Sequence, residues 1–285
     1  MPSVPLSIPA GACDCHTHIF GNYPLVAERR YTPEPAGPEA MAALHRSLGI
    51  ERVVIVTPSV YGVDNTSTLD GIRARGGTAR GIAVVDDQVG EAELRRLAAG
   101  GIRGIRLNLA TAGVDDPVVA AARLRWSAEL VGGLGWHVQV YTTPVVIAAL
   151  AKVVAGLGVP VVFDHFGGAT AALGVRQSGF AELLKLVEAG QAYVKISGAY
   201  HVSRRGPNYP DCAPLAQALL AANAERVLWG TDWPHPPAPS PAPLRPAPAR
   251  TINDGLLLQQ LGVWAPDAAV RERILVTNPA RLYGF

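Results

Sequence analysis

Short apolar, β-branched runs recur along this chain at near-regular intervals. They read 12–20 (ACDCHTHIF), 52–58 (RVVIVTP), 80–86 (RGIAVVD), 102–109 (IRGIRLNL), 136–143 (WHVQVYTT), 159–166 (VPVVFDHF), 192–198 (AYVKISG) and 226–232 (RVLWGTD). Their length and composition predict eight strands. The gaps carry apolar residues at helical spacing, as in 38–49, 91–101, 117–135, 144–158 and 179–190. Most of these end in Gly, the usual helix stop. Strands alternating with helices predict parallel βαβ units, and eight units predict a single-domain (β/α)8 TIM barrel over 1–285. The competing arrangement is an open doubly wound sheet. That fold would carry a Gly-rich phosphate loop after its first strand, where this chain has a histidine pair.

Side chains alternate along a strand, so one parity faces the helices and the other faces the barrel interior. In strand 1, Asp14, His16 and His18 oppose Cys13, Cys15 and Thr17. This parity turns the two cysteines toward the helices as small core residues. Thr57 and Ser59 share a face in strand 2, and Arg106 and Asn108 share one in strand 4. His137, Gln139 and Tyr141 share a face in strand 5, with His137 deep in the barrel. His165 goes with Phe163 and Val161, Lys195 with Ser197, and Asp232 with Gly230 and Leu228. A buried core avoids such polar groups unless they are satisfied or used. His16, His18, Ser59, Arg106, Tyr141, His165 and Asp232 are therefore expected to converge on one site at the C-terminal mouth. Lys195 is expected deeper, either in an ion pair with Asp14 or a similar inward acid or with a part in catalysis.

Composition excludes several classes. The 285 residues are 49% hydrophobic and 17% charged, with a formal net charge of +2. Intermixed charge near neutrality argues against nucleic-acid and membrane-surface partners, and the apolar content argues against disorder. No apolar stretch is long enough to span a bilayer. The segment MPSVPLSIPAGAC lacks a basic n-region, so no secretory signal is expected there. Three cysteines, two of them in C-D-C, make no disulfide framework, and a reduced, cytoplasmic protein is expected. Eight of the 24 prolines fall between Pro234 and Pro248. This loop, 234–249, follows strand 8 and is stiff and extended; it is either a surface linker or a wall of the pocket.

The H-x-H of 14–18 (DCHTH), 164–168 (DHFGG), 195–200 (KISGAY), 229–236 (WGTDWPHP) and 278–285 (NPARLYGF) resemble the amidohydrolase superfamily. Within it they resemble the amidohydrolase-2 branch of lactone hydrolases such as 2-pyrone-4,6-dicarboxylate lactonase. The resemblance covers essentially the whole chain and implies a barrel that hydrolyses a lactone. It implies that His16, His18 and His165 surround the scissile carbonyl and that Asp232 activates water. It also implies that Arg106 and Tyr141 contact substrate. Departures stand at Gly168, Ala112 and His201, where that lactonase carries further arginines. One carboxylate clamp, Arg106, is clear, which points to a lactone with fewer or differently placed anionic groups.

His16, His18 and Asp232 could ligate zinc or another divalent ion. Superfamily members with a firm metal site usually add a strand-5 histidine or a bridging group on strand 4. Here those strand ends carry Tyr141 and Asn108, so a site needing no metal is the favoured expectation. Ser59, His201 and His235 are expected to help bind substrate; Arg204 and Arg205 are expected on the solvated surface. Cys212 has no evident role, and the absence of G-x-S-x-G argues against a serine hydrolase. The rival reactions are a metal-dependent decarboxylase and a lactone isomerase of the same branch. A rival of another class is an inactive barrel that binds ligand. The expected partner is a small lactone or carboxylic acid, and the expected state is monomer or homodimer.

Overall fold

The computed structural model describes residues 6–285, and residues 1–5 of the segment read for a secretory signal lie outside that range. The expected strands form one parallel eight-stranded sheet in sequential order. They are β1 (Cys13–Thr17), β2 (Arg52–Val56), β3 (Ala79–Ala83), β4 (Ile102–Asn108), β5 (His137–Tyr141), β6 (Val161–Phe163), β7 (Ala192–Ser197) and β8 (Val227–Gly230). The sheet closes where the chain leaving β8 meets the end of β1. Asp232 N donates to His16 O at 2.8 Å and His18 N donates to Trp233 O at 2.8 Å. The fold is a (β/α)8 barrel.

The longer helices are α1 (Pro38–Leu48), α2 (Thr66–Arg75), α3 (Glu91–Ala99), α4 (Pro117–Gly132), α5 (Pro144–Ala155), α6 (Phe180–Glu188), α7 (Ala213–Asn223) and α8 (Asp254–Trp264). Local chemistry sets several starts. Asp116 caps Val118 N and Asn253 caps Leu256 N, while Pro117 and Pro144 occupy first-turn positions that need no amide hydrogen. The helices bury one apolar layer against the outer face of the sheet. A second, smaller layer fills the barrel itself: Cys13, Cys15, Val54, Val56, Ile82, Val162, Leu228 and, from the short C-terminal helix Asn278–Tyr283, Tyr283. Fully burying each such aliphatic side chain contributes about 1.5–3 kcal/mol.

This inner layer corrects the strand-1 parity. Cys13 and Cys15 face the interior, while Asp14 points outward to His45 of α1 at 3.3 Å and to Thr231 Oγ1 at 2.5 Å. The cause is an irregularity between Asp14 and Thr17, where the register to β2 shifts. An extra residue in a strand reverses parity beyond it. His16 and His18 therefore face inward although Asp14, on their nominal parity, does not.

The Pro-rich loop is a wall. Pro246–Ala247 pairs in parallel with Thr32–Pro33 of the loop after β1. Ser240 N donates to Arg30 O at 2.9 Å, and Thr32 Oγ1 donates to Pro243 O at 2.7 Å. These two loops cover one side of the barrel mouth. Among the described residues no helix is long and apolar enough to cross a membrane.

Candidate active site

A cavity of about 140 Å³ opens at the mouth, lined by His18, Ser59, Arg106, Tyr141, His165, His201 and Asp232 among others. It adjoins a hollow of about 250 Å³ that shares Ser59, Arg106 and Arg30. A larger hollow of about 500 Å³ lies between α4 and α5, another of about 560 Å³ lies between α4 and the chain after β3, and neither gathers any of the candidate site residues.

Asp232 is the centre of this cavity. Its Oδ2 accepts from Tyr200 Oη at 2.5 Å and from His201 Nε2 at 3.0 Å. Its Oδ1 lies 3.3 Å from His18 Nε2 and 3.6 Å from His16 Nε2. Burial raises the Asp232 carboxyl, but His165, His18, His201 and His16 around it outweigh burial and hold it well below the usual range. His18 is oriented from behind, because its Nδ1–H donates to the Val56 carbonyl at 2.8 Å. His165 Nδ1 meets Ser197 Oγ at 3.0 Å. Its ring lies 4.7 Å from His16 and 5.1 Å from Tyr141.

Below this layer sits a buried charged network. Asp164 Oδ1 lies 3.3 Å from His16 Nδ1 and 3.6 Å from Lys195 Nζ. Asp164 Oδ2 accepts from Arg106 Nε at 3.2 Å and Gln139 Nε2 at 3.0 Å. Lys195 also donates to Gln139 Oε1 at 2.6 Å. Burial raises the Asp164 carboxyl, but His16, Lys195 and Arg106 together hold it well below its ordinary range. Burial likewise pushes the His16 imidazole down to about 3, leaving a neutral ring. The partner of Lys195 is therefore Asp164 rather than Asp14, which the strand-1 irregularity turns away.

The strand-6 parity also needs correction. Val161 and Phe163 pack in the outer layer, while Val162 and Asp164 face inward. His165 enters the cavity only because it leaves the strand in the left-handed region, with φ +49, followed by Phe166 at φ +56. Asp232 has the same left-handed backbone, with φ +66. Left-handed backbone costs a non-glycine residue about 1–2 kcal/mol. Gly198, also left-handed, packs beneath the cluster: a Cβ there would lie 2.9 Å from His165 Nδ1 and from His201 Cδ2.

His235 does not line the cavity. Its Nε2 meets Asp254 Oδ1 at 3.0 Å, and its ring packs edge-on against Tyr200 at 5.5 Å. Thr57 bonds Asn65 and Thr68 toward α2. Arg204 and Arg205 are exposed, and Cys212 is buried.

The chain matches the family model described as Amidohydrolase over residues 13–285. The chain belongs to the amidohydrolase family. It is 36% identical to a 4-sulfomuconolactone hydrolase of Rhizobium radiobacter, across 99% of this chain and 93% of the relative. It is also 36% identical to a 2-pyrone-4,6-dicarboxylate hydrolase of Comamonas testosteroni, with the same coverage. Among solved structures, a putative 2-pyrone-4,6-dicarboxylic acid hydrolase from Pseudomonas putida superposes with a TM-score of 0.81 at 32% identity, covering 97% of this chain and 98% of that one.

This amidohydrolase holds functional candidates that the sequence reading passed over. Asp164 lies on the inward parity of Val162, a signal legible in the sequence once Val161 and Phe163 are turned outward. Arg30 and Arg250 reach the site from loops, and Tyr200 from the single helical turn Ala199–Val202 after β7, where no longer periodicity aims a side chain. The cavity therefore carries three guanidinium groups, Arg30, Arg106 and Arg250, where one clamp was expected.

His16, His18 and Asp232 pass a test of fit for a divalent ion. Their ligand atoms lie within 4.8 Å of one another. His16 Nε2 and Asp232 Oδ1 are fully buried and have no hydrogen-bond partner among the described residues. A neutral imidazole nitrogen facing a carboxylate oxygen is a pair of acceptors, which a cation satisfies. The bond from His18 Nδ1 to a backbone carbonyl, and the contact of His16 Nδ1 with Asp164, are the outer-shell arrangement that orients metal ligands.

Proposed function

We propose that this amidohydrolase hydrolyses a lactone carrying a carboxylate, with Asp232 as general base. The observation that carries this reading is the shared cavity. An arginine whose terminal nitrogens have no hydrogen-bond partner among the described residues shares the cavity with an ionised aspartate ringed by histidines. The substrate carboxylate binds the Arg106 fork, where two parallel hydrogen bonds fix its orientation. Tyr141, packed 5.7 Å from the Arg106 guanidinium carbon, bounds the ring, and Ser59 lines the same wall. Asp232 takes a proton from the attacking water and delivers it to the ring oxygen as the ester bond breaks. The product is the open hydroxy acid. His165 faces the carbonyl, where hydrogen-bond donation to the developing oxyanion contributes about 3 kcal/mol. A divalent ion held by His16, His18 and Asp232 would supply further polarisation of that carbonyl.

The test is acid release. A panel of carboxylated and neutral lactones is followed with a pH indicator and by product analysis. Stoichiometric acid from a carboxylated lactone, lost in Asp232→Asn, is the expected result. Carbon dioxide release, or a rearranged lactone with no acid, would replace hydrolysis by decarboxylation or isomerisation.

A further inference from the structure

The hollow of about 250 Å³ beside the cavity differs from it in kind. The two share Arg106 and Ser59. Beyond that common wall the hollow is lined by Val26, Gly62, Val84, Ala112 and Thr57. Thr57 offers a methyl group there, because its hydroxyl donates to Asn65 Oδ1 at 2.8 Å and meets Thr68 Oγ1 at 2.7 Å. Arg29 also borders the hollow but is bonded to protein. Its Nε donates to Thr32 Oγ1 at 2.7 Å and its Nη1 to Val26 O at 2.9 Å. The other charged residues there, Glu28 and Arg30, are exposed to solvent. Such a lining favours an apolar group, whose burial removes it from water. It disfavours an acid, which would give up hydration against methyl groups.

Backbone bonds hold this apolar wall in place. Asn65, just before α2, grips Val84, just after β3: its Oδ1 accepts from Val84 N at 2.8 Å, and its Nδ2 donates to Val84 O at 2.9 Å. Val26 N donates to Val60 O at 2.9 Å. The Val26 side chain lies against Gly62, where a Cβ would stand 2.8 Å from Val26 Cγ1 and the φ of +56 suits glycine. The two valines are therefore preorganised, and no loop has to be ordered when the hollow fills. An apolar cavity of about 150 Å³ admits benzene, so this one has room for a propyl or phenyl group. Arg106 borders both spaces, so a ring carboxylate on its fork stands at the doorway between them. A substituent on the neighbouring ring carbon is the part of the ligand that reaches the hollow.

We propose that this hollow is an apolar subsite, and that the substrate is a lactone with one carboxylate and an alkyl or aryl group on the adjacent ring carbon. This deepens the lactone reading and rests on it for the reaction. The subsite itself can be tested without turnover. Isothermal titration compares furan-3-carboxylate with its 2-methyl, 2-propyl and 2-phenyl derivatives, which cannot be hydrolysed. Affinity should rise roughly threefold to fourfold per carbon up to propyl, the worth of burying a methylene. The propyl compound should therefore bind at least tenfold more tightly than the parent, and more tightly than furan-2,3-dicarboxylate. Val84→Phe, which fills the hollow, should bring the propyl-to-parent ratio within about twofold of unity. Ala112→Leu, at an exposed position, narrows the same space and should lower the ratio too; it decides the question if Val84→Phe does not fold. A flat series in wild type, a ratio unchanged in the folded variants, or tightest binding by the dicarboxylate would overturn the proposal. If the series rises while no carboxylated lactone releases acid, the subsite stands and the reaction assignment fails. If carboxylated lactones are hydrolysed while the series is flat, the reaction stands and the subsite fails.

Discussion

Asp164 bridges Arg106, the proposed substrate clamp, and His16 of the histidine cluster, so its removal should be felt in both. The perturbation is Asp164→Asn, which keeps the shape and removes the charge. In the native barrel this fully buried carboxylate answers Arg106 at 3.2 Å, Lys195 at 3.6 Å and His16 at 3.3 Å. Without it two buried cations, Arg106 and Lys195, are left with no anion in contact. Removing one partner of a buried pair costs about 3–5 kcal/mol, because the other charge stays desolvated and unanswered. At roughly 2–4 °C per kcal/mol for a chain of this order of size, Tm should fall by roughly 10 °C. The measurement is thermal unfolding followed by circular dichroism, paired with kcat and KM on a carboxylated lactone. Both constants should worsen, since Arg106 loses its Nε anchor and His16 loses its Nδ1 partner. Adding Lys195→Met should recover much of the lost stability without restoring KM, since it removes the surplus cation but leaves Arg106 unanchored. A Tm within 2 °C of wild type, with KM unchanged, would refute the assignment of Asp164 as the shared hub.

Other variants separate the roles further. Asp232→Asn should lower kcat by about 10²–10⁴-fold, the usual worth of a general base, with Tm measured to show that the fold survives; wild-type turnover would end the mechanism. Arg106→Met should raise KM for carboxylated lactones by roughly 10–100-fold, equivalent to losing a hydrogen bond to a charged group at about 1.5–3 kcal/mol. An equal rise for neutral lactones would remove the clamp. Gly198→Ala should lower both kcat and Tm, because its Cβ would stand 2.9 Å from His165 Nδ1 and the backbone φ is +54; a variant indistinguishable from wild type would show that the cluster packs more loosely. Zinc or manganese added to chelator-treated protein should raise Tm, since a ligand at about 100 times its Kd stabilises the folded state by about 2.7 kcal/mol. His18→Ala should abolish that rise, and no shift with either ion in wild type would argue against a cation on His16, His18 and Asp232.

The sequence made the barrel legible because periodicity is a property of regular elements, and here strands and helices alternate without interruption. The same rule failed where the elements stop. His165 was placed in the cavity for the wrong reason: its parity with Phe163 aims it at the helices, and only the left-handed backbone at φ +49 brings it inside. Asp164, one residue earlier and on the true inward parity, was passed over for that reason. Strand 1 misled in the same way, since an irregularity before Thr17 turned Asp14 out and the cysteines in. Arg30 and Arg250 reach the mouth from irregular chain and Tyr200 from a single helical turn, so their direction is set by local bonds such as Arg250 Nε to Pro236 O rather than by spacing. These failures share a physical cause. Reactive groups must leave the saturated hydrogen bonding of the sheet to face substrate, and the chain accepts left-handed backbone at His165 and Asp232 to aim them. Contacts such as His165 Nδ1 to Ser197 Oγ and Asp232 N to His16 O offset that cost. Weakening one of them, as in Ser197→Ala, should therefore impair catalysis more than stability, because the first thing released is the direction of His165.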